Sequence, residues 1–124
     1  MSWRTVRLVL TGVAVLVAMV LVAPVVTLAL DEAAVPPSSE APPLPPGVTV
    51  LDDELRCGSG GCYHSLTLAG PPEQSAAELA ASVGPPGESC RVRSLLDRRR
   101  VCSGVEAHGE AVVLYVRYDR SFAL

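Results

Sequence analysis

Three common residue types, lysine, isoleucine and asparagine, are missing from this sequence of 124 residues. All ten basic residues are therefore arginines, and alanine, valine, proline and glycine are abundant. Such a composition is typical of codon bias in a GC-rich bacterial genome, so the missing lysine excludes no class of partner. The short length is more restrictive, because it leaves room for only one small domain.

Charge is missing from residues 8–30, a run of 23 residues that follows Arg4 and Arg7. At roughly 1.5 Å per residue, a helix of this length exceeds the ~30 Å hydrocarbon core of a bilayer. The run is also too long and too apolar to be the core helix of so small a domain. It predicts a transmembrane helix over residues 8–30, in which Pro24 is tolerated as a kink.

The length of the apolar run favours a permanent signal anchor over a cleaved secretory signal, whose apolar region usually spans about 7–15 residues. Thr27 and Ala29 are small enough for a signal peptidase, so cleavage stays open as an alternative. No cysteine ends the run, which excludes a lipoprotein-type anchor.

The positive charges near the run set the predicted topology. Because they precede it, they keep residues 1–7 in the cytoplasm and send everything after Leu30 outside. Seven residues are too few for a cytoplasmic receptor tail, a kinase or a nucleotide site. We therefore expect a single-pass protein of the cell membrane that functions through its extracytoplasmic part.

Residues 31–47 contain six prolines among small and acidic residues. Such a stretch favours an extended polyproline conformation and predicts an extracytoplasmic linker that reaches up to about 50 Å. The run "PPLPP" at residues 42–46 also matches a proline-rich ligand for a partner domain, although the domains that read such ligands are mostly intracellular.

Residues 48–124 are expected to form a small ectodomain of marginal stability that needs covalent staples. All four cysteines lie here: Cys57, Cys62, Cys90 and Cys102. In an oxidising compartment an even count predicts two disulfides. Three pairings remain open, and the sequential pairing is our working choice.

The pattern of the ectodomain predicts an α+β fold, with a mostly antiparallel sheet and one short helix. Residues 48–57 and 62–69 read as a hairpin around "GSGG". If Cys57 faces Cys62, the register opposes Leu55 to His64, Asp53 to Leu66 and Leu51 to Leu68. For the helix, Ser75 and Glu78 form a capping box, Leu79 and Val83 share one face, and Gly84 ends it.

Residues 89–96, 99–107 and 110–119 read as three further strands, and the last, apolar on both faces, is expected to be central. One feature conflicts with a simple hairpin between Cys90 and Cys102. It places Arg98 and Arg100 on the face of Cys102 while Val101 and Val105 point away. A bulge, a helical turn or a different disulfide partner would each remove the conflict.

Cys57, Cys62 and His64 are the candidates for an alternative function as a thiol-active or metal-binding protein. Zinc knuckles place two cysteines two to four residues apart with a matched second pair, whereas eleven residues separate Cys90 from Cys102. Redox pairs are typically C-x-x-C at a helix start. A triad of Ser59, His64 and Asp53 would need pocket walls that so small a domain scarcely supplies. We therefore expect no cofactor, no metal and no catalysis.

One basic cluster stands out after Leu30, where thirteen acidic residues outnumber eight arginines. It is the candidate partner surface for an envelope protein or an anionic envelope component. The alternative is an ordinary surface whose arginines pair with nearby carboxylates. Nucleic acid is not expected as a partner outside the membrane. The members of the cluster are Arg91, Arg93, Arg98, Arg99 and Arg100.

The function expected from the sequence is a non-catalytic binding or accessory module, anchored in the membrane of a bacterial envelope.

Overall fold

The computed structural model describes residues 2–121 of the chain. It begins with helix α1, Trp3–Leu30, which contains the predicted segment 8–30 and Pro24. The most apolar 18-residue window of α1 has a mean hydropathy of 2.9, and only 6% of that window is buried. By length and composition α1 is able to cross a membrane, a property that membrane anchors share with signal sequences.

The α+β description is confirmed. After a short 3-10 helix at Ser38–Glu40, the chain forms five strands and one helix, α2, Ala76–Val83, between the second and third strands. All neighbouring strands are antiparallel, in the order β1-β2-β5-β4-β3, so the last strand is central as predicted. The strands are β1 Thr49–Gly58, β2 Gly61–Ala69, β3 Ser89–Val92, β4 Arg100–His108 and β5 Ala111–Tyr118.

Alternate strand residues face opposite sides of the sheet, and only one side is covered. Leu79 and Val83 of α2 pack on the covered face, and Leu28 from the end of α1 is buried there as well. The buried strand residues of the covered face are Cys62, Leu66, Leu68, Val101, Val112, Leu114, Val116 and Tyr118. The opposite side, which we call the open face, presents Tyr63, Ser65, Thr67, Cys102, Gly104, Val113, Tyr115 and Arg117.

Residues 31–47 differ from the extended spacer expected from their prolines. Pro36 is fully buried, Ala34 and Ala41 pack beside the Leu28 cluster, and Leu44 packs beside the helix α2. The physical reason is the width of the sheet: a helix of two turns leaves part of the covered face bare, and burying the remaining apolar strip is favourable. The proline-rich segment therefore forms part of the domain's packing.

The hairpin register was predicted correctly in part. Leu55 lies opposite His64 and Asp53 opposite Leu66, as expected. Leu51 was expected opposite Leu68, but the register shifts between Val50 and Asp52, so Val50 takes that place. The extra residue is a β-bulge in the edge strand, a common device where a sheet ends.

Helix α2 has the ends that the sequence predicts. The Ser75 hydroxyl accepts a hydrogen bond from the backbone N–H of Glu78, whose carboxylate accepts from the backbone N–H of Ser75. Leu79 and Val83 are both buried, and Gly84 ends the helix. A helix this short is held by packing on the sheet rather than by its own propensity.

The two disulfides follow the sequential pairing, Cys57 with Cys62 and Cys90 with Cys102. They lie on opposite faces of the sheet. The side chain of Cys62 points to the covered face, as does that of Leu66 in the same strand, whereas Cys102 lies opposite Arg117 on the open face. This arrangement removes the conflict anticipated for the second hairpin. Cys102 shares a side with Arg100 because that side is the open one, and Val101 correctly points into the core.

Candidate functional site

The open face holds the densest group of polar and aromatic side chains around one hollow. Strand β5 supplies Tyr115 and Arg117 because its odd-numbered residues face away from the core, while Val112, Leu114 and Val116 face into it. The hollow has a volume of about 430 Å³. It is lined by Arg56, Tyr63, Ser65, Thr67, Glu88, Glu106, His108, Val113, Tyr115 and Arg117.

A bidentate ion pair anchors the middle of this hollow. The guanidinium of Arg117 donates to both carboxylate oxygens of Glu88, over 2.6 and 2.9 Å. This contact lowers the pKa of Glu88, while burial and the neighbouring Glu88 raise the pKa of Tyr115. Two parallel charge-assisted hydrogen bonds hold both groups in one geometry. The hollow is therefore lined by fixed side chains.

Tyr115 lies across β4 at a place where only glycine leaves room for it. A Cβ atom added to Gly104 would lie 2.7 Å from the Cε1 atom of Tyr115. Gly104 is directly opposite Tyr115 in the β4–β5 pair and is itself buried. The tyrosine ring thus replaces the side chain that the glycine lacks and forms part of the floor of the hollow.

The remaining charges around the hollow pair with near neighbours. Arg56 contacts Glu54 at 2.8 Å, and His108 contacts Glu106 at 2.9 Å. These pairs are exposed and contribute little to stability. Since basic and acidic groups alternate around the hollow, it carries no strong field of either sign.

The structure divides the predicted basic cluster among separate ion pairs. Arg91 and Arg93 both bind Glu40, over 2.7 and 2.9 Å, which joins them to the proline-rich segment. Arg99 binds Asp97 at 2.6 Å. Arg100 binds Asp119 at 3.0 Å and lies on the open face of the sheet. Arg91 lies opposite Val101 and therefore on the covered face. The arginines therefore do not form one continuous basic surface.

Asp97 is the centre of this ion-pair network. It accepts hydrogen bonds from the side chains of Arg93 and Arg99 and from the backbone N–H of Arg99. These contacts, led by the Arg99 side chain, lower the pKa of Asp97 to about 2. Arg98 has no ion pair within residues 2–121, so it is the member of the cluster whose charge is free for a partner.

The residues of the thiol or metal alternative are engaged elsewhere. Cys57 and Cys62 are bonded to each other, and Nδ1 of His64 lies 2.8 Å from a carboxylate oxygen of Asp53. Glu88 lies close to Cys90 and Cys102, with one donor atom of each within 4.8 Å of the others. Both sulfurs of that group form a disulfide, so they offer no thiolate to a metal ion.

A larger hollow of about 940 Å³ lies near the start of α2. Its walls are mainly Leu51, Leu68, Leu79 and small residues or prolines. Ser75 also lines it, but its hydroxyl already caps α2. This hollow offers apolar contact and few groups that fix the orientation of a ligand, so the open face is the better candidate site.

No protein-family model matches the chain, and no curated protein or solved structure shows significant similarity to it. A functional assignment therefore depends on the geometry described above.

Sequence reasoning singled out the basic cluster and missed the open face. A signal was present in β5, where Tyr115 and Arg117 alternate with three aliphatic residues. That alternation marks a strand with one core side and one polar side, which does not fit a central strand covered on both faces. Glu88 carried no local signal, because its partner Arg117 lies 29 residues further along the chain.

Proposed function

We propose that this chain is a single-pass, membrane-anchored binding or accessory module of a bacterial envelope, with its sheet domain outside the cytoplasm and no catalytic activity. The observation that carries the proposal is the junction between α1 and the sheet. An apolar helix left uncovered by the rest of the chain leads directly into a domain closed by two disulfides. The first feature fits lipid, and the second fits an oxidising compartment.

The charges of the first turns support the orientation. Arg4 and Arg7 precede the apolar stretch, and Asp31 and Glu32 follow it directly. Basic residues are retained on the cytoplasmic side of a membrane segment, which supports the proposed position of the sheet domain outside. Arg7 also lies over the Trp3 ring, 5.2 Å from its centroid, and tryptophan favours the membrane–water interface.

The open face is the proposed contact surface, and its proposed occupant is a protein of the same envelope. Tyrosine and arginine are enriched at protein interfaces, and here Tyr63, Tyr115 and Arg117 lie around one hollow. The alternating charges around them suit a mixed polar protein surface better than a polyanion. Glu88 already holds Arg117, and the Tyr115 ring lies against Gly104, so binding orders few side chains.

Two experiments test the proposal in turn. A reporter enzyme active only outside the cytoplasm, fused after residue 124, is expected to be active; activity only of a cytoplasmic reporter would overturn the orientation. A photo-cross-linking residue at Tyr63 in the full-length chain is expected to yield an adduct of one defined mass in intact cells. The matched control is Glu73, which is exposed just before α2. Equal adducts at both positions, or none at Tyr63, would reject the open face as the contact.

A further inference from the structure

Two exposed leucines lie at the tip of the turn between β3 and β4. Leu95 is 83% exposed and Leu96 is 69% exposed. The backbone N–H of Ser94 donates to the carbonyl of Asp97 over 3.0 Å, and the Ser94 hydroxyl accepts from the N–H of Asp97 over 2.9 Å. The two leucines are therefore the tip of a closed four-residue turn.

Leucine is an unusual choice for such a tip. Tight turns favour glycine, proline, asparagine, aspartate and serine, each for a conformational or hydrogen-bonding reason. Leu95 and Leu96 supply none of these properties, and both side chains are left in contact with solvent. Single exposed leucines are common, as Leu51 shows, but two adjacent ones at a rigid turn form a small apolar patch that is suited to contact with another apolar phase.

The turn lies at the end of the sheet where α1 arrives. Val92 pairs with Arg100, and Val101 pairs with Tyr118, so the β3–β4 turn and the end of β5 lie at the same end. Two residues after Tyr118, Arg120 donates hydrogen bonds to the carbonyls at the end of α1 and just beyond it. The accepting residues are Leu28 at 2.8 Å, Asp31 at 2.7 Å and Ala34 at 3.2 Å.

The base of the turn is rigid. Asp97 holds Arg93 and Arg99 from both sides, and the Arg99 guanidinium lies 4.8 Å from the centroid of the Tyr118 ring. Glu40 ties Arg93 to the proline-rich segment. The ion pairs thus fix the backbone that carries the leucines, which lowers the loss of conformational entropy when they insert into another phase.

We propose that Leu95 and Leu96 insert into the interfacial region of the same bilayer that α1 spans. Arg98, beside them and free of an ion pair within residues 2–121, meets the phosphate groups of the lipids. The inference rests on the proposed membrane anchor, whose outer end lies at this end of the domain. A second lipid contact prevents rotation of the domain about α1 and fixes the direction in which the open face points.

Tryptophan fluorescence in nanodiscs tests this contact with the full-length chain. Trp3 is the only tryptophan, so the unaltered chain reports on the anchor. In a Trp3→Phe background, Leu96→Trp reports on the turn. Leu51→Trp is the matched control, because Leu51 is 68% exposed but lies beside Gly109 and Glu110 at the opposite end of the sheet. The nanodiscs contain phosphatidylcholine and phosphatidylglycerol, with or without bromine on the acyl-chain carbons nearest the headgroups, the depth expected for both Trp3 and the turn.

Bromine is expected to quench the tryptophan at position 96 several-fold more than that at position 51, with a blue-shifted emission at position 96 alone. Equal quenching at the two positions, together with strong quenching of Trp3, would overturn the second contact and leave the anchor intact. Weak quenching of Trp3 would instead reject the anchor and, with it, this inference. Intact-mass measurement confirms that both disulfides have formed in each variant, and a cooperative urea transition confirms that it is folded, before the comparison is made.

Discussion

Arg120 donates a hydrogen bond of 2.8 Å to the carbonyl oxygen of Leu28, which precedes it by 92 residues. Leu28 lies in the last turn of α1, where backbone carbonyls have no partner within the helix. The arginine supplies that partner and places its positive charge at the negative end of the helix dipole. A side chain after the last strand thus adds polar contacts to the packing of Leu28 against the sheet.

Replacing Arg120 by alanine is expected to loosen this junction. The free energy of unfolding should fall by about 1–3 kcal/mol, because partly buried carbonyls lose a charged hydrogen-bond donor. Amide hydrogen exchange in residues 28–34 should accelerate, measured by mass spectrometry on the full-length chain in detergent micelles. Arg56→Ala is the matched control, since Arg56 is exposed and forms its ion pair with Glu54 of the same strand. Equal exchange rates in the two variants would contradict the role assigned to Arg120.

Gly104→Ala is expected to disturb the floor of the open face. The added Cβ would lie 2.7 Å from the Cε1 atom of Tyr115, so the ring has to move away from its place over β4. The expected loss in the free energy of unfolding is about 1–3 kcal/mol, as for other overpacked sites. Urea denaturation measures the loss, and near-ultraviolet circular dichroism reports the tyrosine environment.

Gly84→Ala provides the control for that experiment. Gly84 has an extended backbone, with φ of −173°, and nothing lies within 4 Å of an added Cβ. Its replacement should change the free energy of unfolding by less than ~0.5 kcal/mol. Losses of similar size in the two variants would show that glycine flexibility, rather than the Tyr115 contact, explains the result.

Features that depend on neighbouring residues were predictable from the sequence. The capping box of Ser75 and Glu78 and the pairing of Cys57 with Cys62 each involve residues at most five positions apart. The central place of β5 was expected and is observed, although only one of its two faces is apolar throughout. For such features the local pattern and the final fold agree.

Features that depend on distant segments were not predictable. Glu40 pairs with Arg91 across 51 residues. The sequence allowed for arginines paired with carboxylates, but it did not show which carboxylate each arginine binds. Pro36 is buried because α2 covers only part of the apolar face of the sheet. The composition of residues 31–47 does not reveal that this face is left partly uncovered. The role of the open face likewise depended on knowing which side of the sheet α1 and the proline-rich segment cover.

The two disulfides are expected to differ in their effect on stability. On the chain-entropy model, the loop closed by Cys57 and Cys62 stabilises by about 2 kcal/mol, and the longer loop closed by Cys90 and Cys102 by about 3 kcal/mol. Replacing each pair by two alanines, with urea denaturation as the measurement, should reproduce this order. Cys102 is also fully buried, so its loss leaves a cavity that adds to the difference.

Reductant should attack the two disulfides in a defined order. Cys57 is exposed, whereas Cys102 has no solvent exposure and Cys90 is only partly exposed. Because exchange requires access of a thiolate to sulfur, limited reduction should open the hairpin disulfide first. Alkylation followed by peptide mass spectrometry identifies the opened pair. Free thiols at these positions before any reductant is added would favour the thiol-active alternative.

Acid should weaken the domain through Asp97. Arg99 and Arg93 lower the pKa of Asp97 to about 2 in the folded chain, from an ordinary value of 3.8. A carboxylate whose pKa is depressed by folding stabilises the protein above its unfolded pKa, and this contribution is lost as the pH falls toward the folded value. The contribution should therefore be complete at pH 6 and decline from about pH 5 to pH 2, by about 2 kcal/mol.

Asp97→Asn removes this titration and tests its source. The variant should be less stable than the unaltered chain at pH 6, and the difference should shrink by about 2 kcal/mol as the pH falls to about 2. Some acid sensitivity should remain, because ion pairs also lower the pKa values of Glu40 and Glu88. Urea denaturation at a series of pH values gives the comparison. A constant difference between the two proteins at all pH values would show that Asp97 supports the leucine turn by its shape and hydrogen bonds and not by its charge.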